Sequence, residues 1–247
     1  MTKKDFSYFW DDLADDRGAR RRYEKVMMFI KKYDPKSKSI LELGVGNGNV
    51  LKHFSKKYDL HGLDIDKKYI ELSKKKIPRA NLFVASMHNF KVKRKFDVIF
   101  SVYDSLNFLK NLEQWKKTFK NVNKHLEKEG LFIFDFYTPK MLEKAKKWDI
   151  FSKEKFGFMQ DKGVVKGKRL TWHFSIFEKQ KRKNFVLHEY DFHEWIFPVN
   201  QVEREIYKNF RILEKLDGET LSRPTKDTFR LLYVCKTSSV NLKRAID

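Results

Sequence analysis

The chain predicts a doubly wound α/β domain with a mostly parallel sheet and an inserted antiparallel β subdomain. Three observations carry this. From Ser39 to Phe136 short apolar runs alternate with segments of helical period, the pattern of parallel strands joined by right-handed crossovers. The run Ile40-Leu41-Glu42-Leu43 feeds directly into glycines at 44, 46 and 48, which permit a sharp turn and bring bare backbone N–H groups to a surface. Beyond Tyr137 the pattern changes to long stretches rich in Thr, Phe, Tyr and His, which suits antiparallel strands.

In chain order, Arg20 to Tyr33 carries Tyr23, Val26, Met27, Ile30 and Tyr33 at helical spacing and packs on the sheet. Ser39 to Leu43 is the first strand, and the helix expected after the glycines turns Val50, Leu51 and Phe54 inward. Leu60 to Ile65 is the second strand and ends on Asp64. Lys67 to Lys76 is a helix with Ile70 and Leu72 inward, stopped near Pro78. Ala80 to Ala85 and Phe96 to Ser101 are the third and fourth strands. Leu112, Trp115, Phe119, Val122 and Leu126 mark one helix face, closed by Glu129-Gly130 before the strand Leu131 to Phe136. Leu170 to Phe177 and Asn184 to Phe197 form the inserted hairpin across the basic turn Lys179 to Lys183. Pro198 to Lys208 is a helix, Phe210 to Leu216 a strand and Asp217-Gly218 a turn. Thr228 to Lys236 is the last strand, and 238–247 a frayed tail.

Composition bounds the function. At 247 residues the chain suffices for one enzyme-sized core with an insert. No apolar run is long enough to span a bilayer, and Met1 to Asp5 lacks the apolar stretch of a signal peptide. The single cysteine, Cys235, falls in a predicted buried strand, so neither a disulfide framework nor a cysteine metal cluster is expected, and no His/Cys/Asp spacing suggests a metal ligand set. The expected compartment is the cytoplasm. The net charge of +21 points first to an acidic partner such as nucleic acid. Of the 54 basic residues, however, only 13 are arginine, the better reader of phosphates and base edges. Between Lys140 and Lys183 there are 14 basic and 5 acidic residues, so the insert carries much of the surplus.

In doubly wound sheets ligands sit at the carboxyl ends of the strands, so Glu42, the glycine loop and Asp64 line one crevice. The loop reads G-x-G-x-G, not the dinucleotide G-x-G-x-x-G, and no Walker lysine follows it. Glu42 beside the loop repels a pyrophosphate and can accept hydrogen bonds from a cationic group, while Asp64 is placed for ribose hydroxyls. A nucleoside without phosphates fits these residues.

With these motifs the chain resembles the class I S-adenosylmethionine-dependent methyltransferases over residues 38–136 and 198–236. The resemblance implies a Rossmann-like, seven-stranded sheet with an antiparallel final strand, and S-adenosylmethionine as cofactor. It divides the chain into an N-terminal lid and helix (1–37), a cofactor-binding core (38–137), a substrate cover (138–197), completion of the sheet (198–237) and a tail (238–247). Gly44, Gly46, Asn47 and Gly48 correspond to the loop against the methionine moiety, Glu42 to the acid orienting its amino group, and Asp64 and Ile65 to the ribose and adenine contacts. Ser86-Met87 falls where many relatives place an Asp and an apolar residue at the adenine; here the acid is absent. Tyr103 to Leu109 resembles the "YDSLNYL" segment of small-molecule methyltransferases, and no N-P-P-Y motif of base methylation is present.

The resemblance thus implies methyl transfer to nitrogen or oxygen of a small molecule, with an RNA (tRNA) methyltransferase or a non-catalytic cofactor-binding protein as alternatives. Tyr103 and Asp104 are candidates for positioning or deprotonating the acceptor, against the alternative that Asp104 and Asn107 only cap a turn. His173, His188 and His193 are further candidate bases, with His193 singled out. Ser101 and Tyr103 are additional cofactor candidates at the strand-four end. In the aromatic N-terminal segment Tyr8 and Trp10 are lid candidates, and Arg20 or Arg22 a partner for the cofactor carboxylate.

Overall fold

The computed structural model describes residues 4–13, 16–181 and 184–237. The predicted tail and Arg182 and Lys183 of the basic hairpin turn lie outside these. Eleven strands are described: β1 (Ser39–Leu43), β2 (Asp59–Asp64), β3 (Asn81–Val84), β4 (Phe96–Ser101), β5 (Leu126–Tyr137), β6 (Asp149–Glu154), β7 (Gly157–Lys166), β8 (Arg169–Lys179), β9 (Phe185–Trp195), β10 (Phe210–Asp217) and β11 (Arg230–Thr237). The helices are α1 (Phe6–Leu13), α2 (Asp16–Tyr33), α3 (Lys67–Lys76), α4 (Leu112–His125), α5 (Lys140–Ala145) and α6 (Val199–Tyr207).

Seven strands form one sheet in the order β10-β11-β5-β4-β1-β2-β3, and β6 to β9 form a separate antiparallel sheet. Only β11 runs against its neighbours β5 and β10. Every residue of β1 is buried, as expected of a central parallel strand covered on both faces. One core lies on the α4 and α6 side, around Trp115, Phe119 and Phe134; the other lies on the α2 and α3 side, around Ile30, Phe54 and Ile133. The strand order reverses between β1 and β4. That reversal opens a crevice at their carboxyl ends, where both the glycine loop and the Tyr103 loop emerge.

Three expectations need correction. The segment after the glycine loop is a single 3-10 turn, Leu51–His53, not an α-helix. No side chain caps its start, and Phe54 is already extended toward β2. Leu51 and Phe54 are nonetheless buried and Val50 half-buried. Strand β5 begins at Leu126, not Leu131, and its pairing with β4 shifts register between Phe96 and Val98. Glu129, not Gly130, takes the left-handed conformation there, with φ of 64°. Gly130 serves close approach instead, since a Cβ would lie 3.0 Å from the Glu127 carbonyl and 3.1 Å from that of Asp97. Finally, the insert has four strands, not two: β6 and β7 are interrupted by Lys, Asp and Gly, which hides their alternation.

Helix α1 belongs with the insert. Phe6 and Phe9 are buried against Phe174, Tyr190, Phe192 and Phe156 of the small sheet and its turn. At about 25 cal/mol per Å² of apolar surface removed from water, two such rings contribute a few kcal/mol. Cys235 is fully buried mid-sheet in β11, and burial pushes its thiol far above the ordinary range.

Candidate active site

The glycine loop is held against β2. The N–H groups of Gly44 and Val45 both donate to the Leu63 carbonyl at 2.9 Å. Gly44, Gly46 and Gly48 all have positive φ. A Cβ on Gly44 would lie 2.9 Å from Ser105 and 3.9 Å from the Met87 Cε, whereas one on Gly46 would meet nothing within 4 Å. Gly44 is therefore fixed by packing as well as conformation, and Gly46 borders open space. Asp64 accepts from the Gly46 N–H at 2.9 Å and from the Asp66 N–H at 3.0 Å, which turns its carboxylate to the same crevice. Burial holds its carboxyl above the ordinary range. Ile65 beside it is 75% exposed, unusual for so apolar a residue at a strand end.

Glu42 is 3% exposed, and its Oε2 has no hydrogen-bond partner among the described residues. Burial first, then the Asp64 charge, raises its carboxyl well above the ordinary range, with Arg22 opposing. Such an orphan acceptor costs about 1–3 kcal/mol. A cationic amino group arriving over the loop would supply the missing donor.

The opposite wall follows β4. Tyr103 and Asp104 are consecutive non-glycine residues in the left-handed region, with φ of 63° and 53°, a conformation costing about 1–3 kcal/mol each. Asp135, near the end of β5, holds them there. Its Oδ2 accepts from the Tyr103 N–H at 3.0 Å and its Oδ1 from the Asp104 N–H at 2.7 Å. Arg230 of β11 completes the network, reaching Asp104 at 2.6 Å, Asp135 at 3.2 Å, Glu219 at 2.9 Å and the Tyr137 hydroxyl at 2.7 Å. Burial raises the Asp104 carboxyl, against the pull of Arg230. Asn107 ties the loop down, its amide oxygen accepting from the Tyr137 N–H at 2.8 Å and its amide nitrogen donating to the Trp195 carbonyl at 3.3 Å. The Tyr103 ring lies under the Arg22 guanidinium at 3.6 Å and is stacked with Trp10 at 6.5 Å.

The predicted residues thus divide. Glu42, Gly46, Asp64, Ile65 and Tyr103 stand at or just beyond the carboxyl ends of β1, β2 and β4, Met87 lies close to Gly44, and Asn47 is buried within the glycine loop. Ser86 bonds to the His88 ring at 2.7 Å. Ser101 does not reach the crevice: it is fully buried and donates to the Leu43 carbonyl at 3.1 Å, joining β4 to β1. Of the two arginines offered as partners for a carboxylate, Arg20 is exposed and paired with Glu24 at 3.1 Å, and Arg22 lies over the Tyr103 ring. Tyr8 points outward, 57% exposed with the Lys4 ammonium over its ring, because Phe6, Phe9 and Trp10 take the inner face of α1. Asp104 does not cap the following turn; its side chain is spent on Arg230. His193 faces away from Tyr103: it pairs with Thr171 at 3.0 Å, while Glu194, the next residue, faces Asp104. His173 pairs with Asp191 at 2.7 Å and His188 with Glu178 at 3.1 Å.

Asp135, Arg230 and Glu194 went unassigned in the sequence. A signal existed for Asp135, a lone acid in Leu-Phe-Ile-Phe-Asp-Phe-Tyr, just as Glu42 is in its own strand. Beside the crevice a cavity of about 510 Å³ is lined by Asp5, Asp66, His173, Glu189 and Asp191 among others.

The strand order with its antiparallel β11, the glycine loop at the reversal point and the acids of β1 and β2 define a class I S-adenosylmethionine-dependent methyltransferase fold. Residues 40–130 match the family model described as a methyltransferase domain. Among solved structures, an S-adenosylmethionine-dependent methyltransferase from Clostridium acetobutylicum superposes with a TM-score of 0.82 at 20% identity, over 94% of this chain and 98% of that one. DesVI of Streptomyces venezuelae gives 0.79 at 21% identity, over 96% and 100%. In sequence, the chain is 26% identical over 133 residues to a dTDP-3-amino-3,4,6-trideoxy-alpha-D-glucopyranose N,N-dimethyltransferase of Streptomyces venezuelae, over 53% of this chain and 51% of that protein. The chain spans about half the length of the curated relatives it matches. The residues present fit S-adenosylmethionine: the orphan Glu42 oxygen can accept from an ammonium, and a loop without a phosphate lysine suits an uncharged nucleoside.

Proposed function

We propose that this protein transfers the methyl group of S-adenosylmethionine to an amino nitrogen of a small molecule of the amino-sugar type. The observation that carries the donor half is the buried, unpartnered Glu42 oxygen beside the glycine loop. Glu42 accepts from the donor's amino group, Asp64 from its ribose hydroxyls, and Ile65 and Met87 line its adenine. Bound there, the sulfonium supplies an electrophilic methyl carbon, so the protein's task is alignment and exclusion of water. Tyr103 and the insert form the acceptor side, with Tyr103 positioning the acceptor, Asp135 holding the Tyr103 backbone, and Asp104 engaged by Arg230 and not serving as the base. The acceptor class rests on the N,N-dimethyltransferases of dTDP-linked amino sugars among its sequence relatives.

Calorimetry with S-adenosylhomocysteine tests the donor half; micromolar binding is expected, and none to folded protein overturns it. Incubation with S-adenosylmethionine and a panel of dTDP-linked amino sugars, read by mass spectrometry, tests the acceptor half. Addition of one or two methyl groups is expected. The RNA reading loses support at the site: the cavity beside the crevice is lined by Asp5, Asp66, Glu189 and Asp191, which repel a phosphate backbone despite the net charge of +21.

A further inference from the structure

We propose that Asp161, on the inserted sheet, is the residue that binds the amino group of the methyl acceptor. This rests on the N-methyltransferase reading and goes beyond it in naming the side chain that selects nitrogen.

Register fixes which side chains of the insert face the core. Met159, Asp161, Gly163 and Val165 of β7 stand opposite Ile176, Phe174, Trp172 and Leu170 of β8, which in turn oppose His188, Tyr190, Phe192 and Glu194 of β9. Because neighbours across a sheet share a face, these form one surface. Its Met159 and Ile176 end is covered by Phe6 and Phe9 of α1. Its Val165 and Leu170 end packs on Tyr137, Met141 and Ala145. Asp161 and Trp172 lie between these two ends; at one end Trp10, packed on this face, stacks on the Tyr103 ring at 6.5 Å, and at the other Tyr137 bonds to Arg230 of the Asp104 network, which sets the stretch between them over the strand-four end.

Two carboxyls on this surface are built alike. Trp148 donates its indole N–H to Asp161 Oδ2 at 2.9 Å, and Trp172 donates its own to Glu194 Oε1 at 2.9 Å. The two indoles meet edge to face at 5.7 Å. In each carboxyl the other oxygen, Asp161 Oδ1 or Glu194 Oε2, is buried without a hydrogen-bond partner among the described residues. The two orphans differ in what faces them. Glu194 abuts Asp104, and one proton held between the two carboxyls satisfies both. Asp161 has no such neighbour; burial is the main influence on its carboxyl, with the Trp148 bond opposing it.

An acceptor oxygen held rigid by an indole and shielded from water matches an ammonium N–H; the ammonium so held gives one proton to this carboxylate or to water before its nitrogen attacks the methyl carbon. A charge-assisted bond to an ammonium is roughly twice as strong as one to a neutral hydroxyl. Asp161 therefore favours an amine over the corresponding alcohol. Lys162 and Gln160 project from the opposite face of β7 by the same alternation, so neither can neutralise it locally.

The test compares wild-type protein with Asp161→Asn on dTDP-3-amino-3,4,6-trideoxy-α-D-glucopyranose and on its 3-hydroxy counterpart. We expect the wild type to bind the amine about tenfold or more tightly than the alcohol. Asp161→Asn should raise the acceptor KM by roughly tenfold to a hundredfold, with the KM for S-adenosylmethionine within about twofold of wild type. A purely structural role would move both KM values together. Trp148→Phe, which frees Asp161 without removing it, should raise the acceptor KM about threefold, and it stands in if Asp161→Asn does not fold. Wild-type turnover with an unchanged acceptor KM in either folded variant, or equal binding of amine and alcohol, overturns the assignment of Asp161 and leaves the N-methyltransferase reading standing. No turnover of any amino sugar by wild-type protein overturns that reading, and this inference with it.

Discussion

Glu42 and Asp135 are both single acids near the carboxyl ends of buried parallel strands, β1 and β5, on either side of β4. Their surroundings are opposite. Asp135 has both oxygens occupied, by the Tyr103 and Asp104 N–H groups and by Arg230. Glu42 keeps one oxygen buried and unpartnered. Asp135 therefore spends its hydrogen bonds on shaping the strained Tyr103–Asp104 turn, while Glu42 leaves one acceptor open among the described residues, which is what we propose the donor's amino group fills. A buried acid at a strand end is a scaffold where the protein itself completes it and a candidate ligand contact where it does not.

The strongest way to break the comparison is on the Asp135 side. Arg230→Met leaves Asp104 and Asp135 buried without their cation, so thermal melting should show a loss of about 3–5 kcal/mol, or roughly 6–20 °C in Tm. Glu42→Gln should do the reverse. Melting stays level or rises, because an unpaired buried carboxylate is removed, while calorimetry shows S-adenosylhomocysteine binding weakened about tenfold or more. An equal loss of stability in both variants would erase the distinction.

The pH dependence of Glu42 sharpens the same contrast. Its folded-state carboxyl is raised above the ordinary range by burial, so the stability it contributes is present at pH below that range. That contribution is lost as pH rises through the raised folded value. Wild-type Tm should therefore fall relative to Glu42→Gln as pH increases across this window. Binding of the cofactor product favours the ionised form, so its affinity should rise with pH there, with proton release visible in calorimetry in two buffers.

A smaller contrast lies within the glycine loop. Gly44→Ala meets Ser105 as well as an unfavourable φ and should cost about 2–3 kcal/mol of stability on melting. Gly46→Ala meets nothing and should cost about 1 kcal/mol of stability while weakening S-adenosylhomocysteine more than Gly44→Ala weakens it per unit of stability lost. Smallest of all, His193→Ala should leave kcat within about threefold, since its ring pairs with Thr171 away from Tyr103.

The donor side of the crevice was legible in the sequence because local rules specify it. A strand followed by glycines needing positive φ, and an acid closing the next strand, are read from contiguous residues. Strand β4 was placed from Phe96 to Ser101 for the same reason. The acceptor side was not legible, because its parts meet only through long-range pairing. Arg230 reaches Asp104 from 126 positions away and Asp135 from 95. Asp161 finds its indole 13 residues off, but the face of the insert on which it stands depends on the register of β7 with β8. Strands β6 and β7, half exposed and broken by charged residues, lack the clean alternation that marks a half-buried strand. His193 and Glu194 are adjacent in sequence, yet strand pleating sends them to opposite faces; residue type singled out His193, whose ring pairs with Thr171, while Glu194 lies beside Asp104.

The burial of Cys235 has a practical consequence for following motion. It is the single cysteine among 247 residues, fully enclosed in β11 and held in the thiol form by that burial, so maleimide reagents should pass over it. A cysteine introduced at exposed Tyr8 on α1 would then be a unique labelling position on the native background. A fluorophore there would report how often α1 and the sheet it rides on lift away from the rest of the molecule, turnover by turnover.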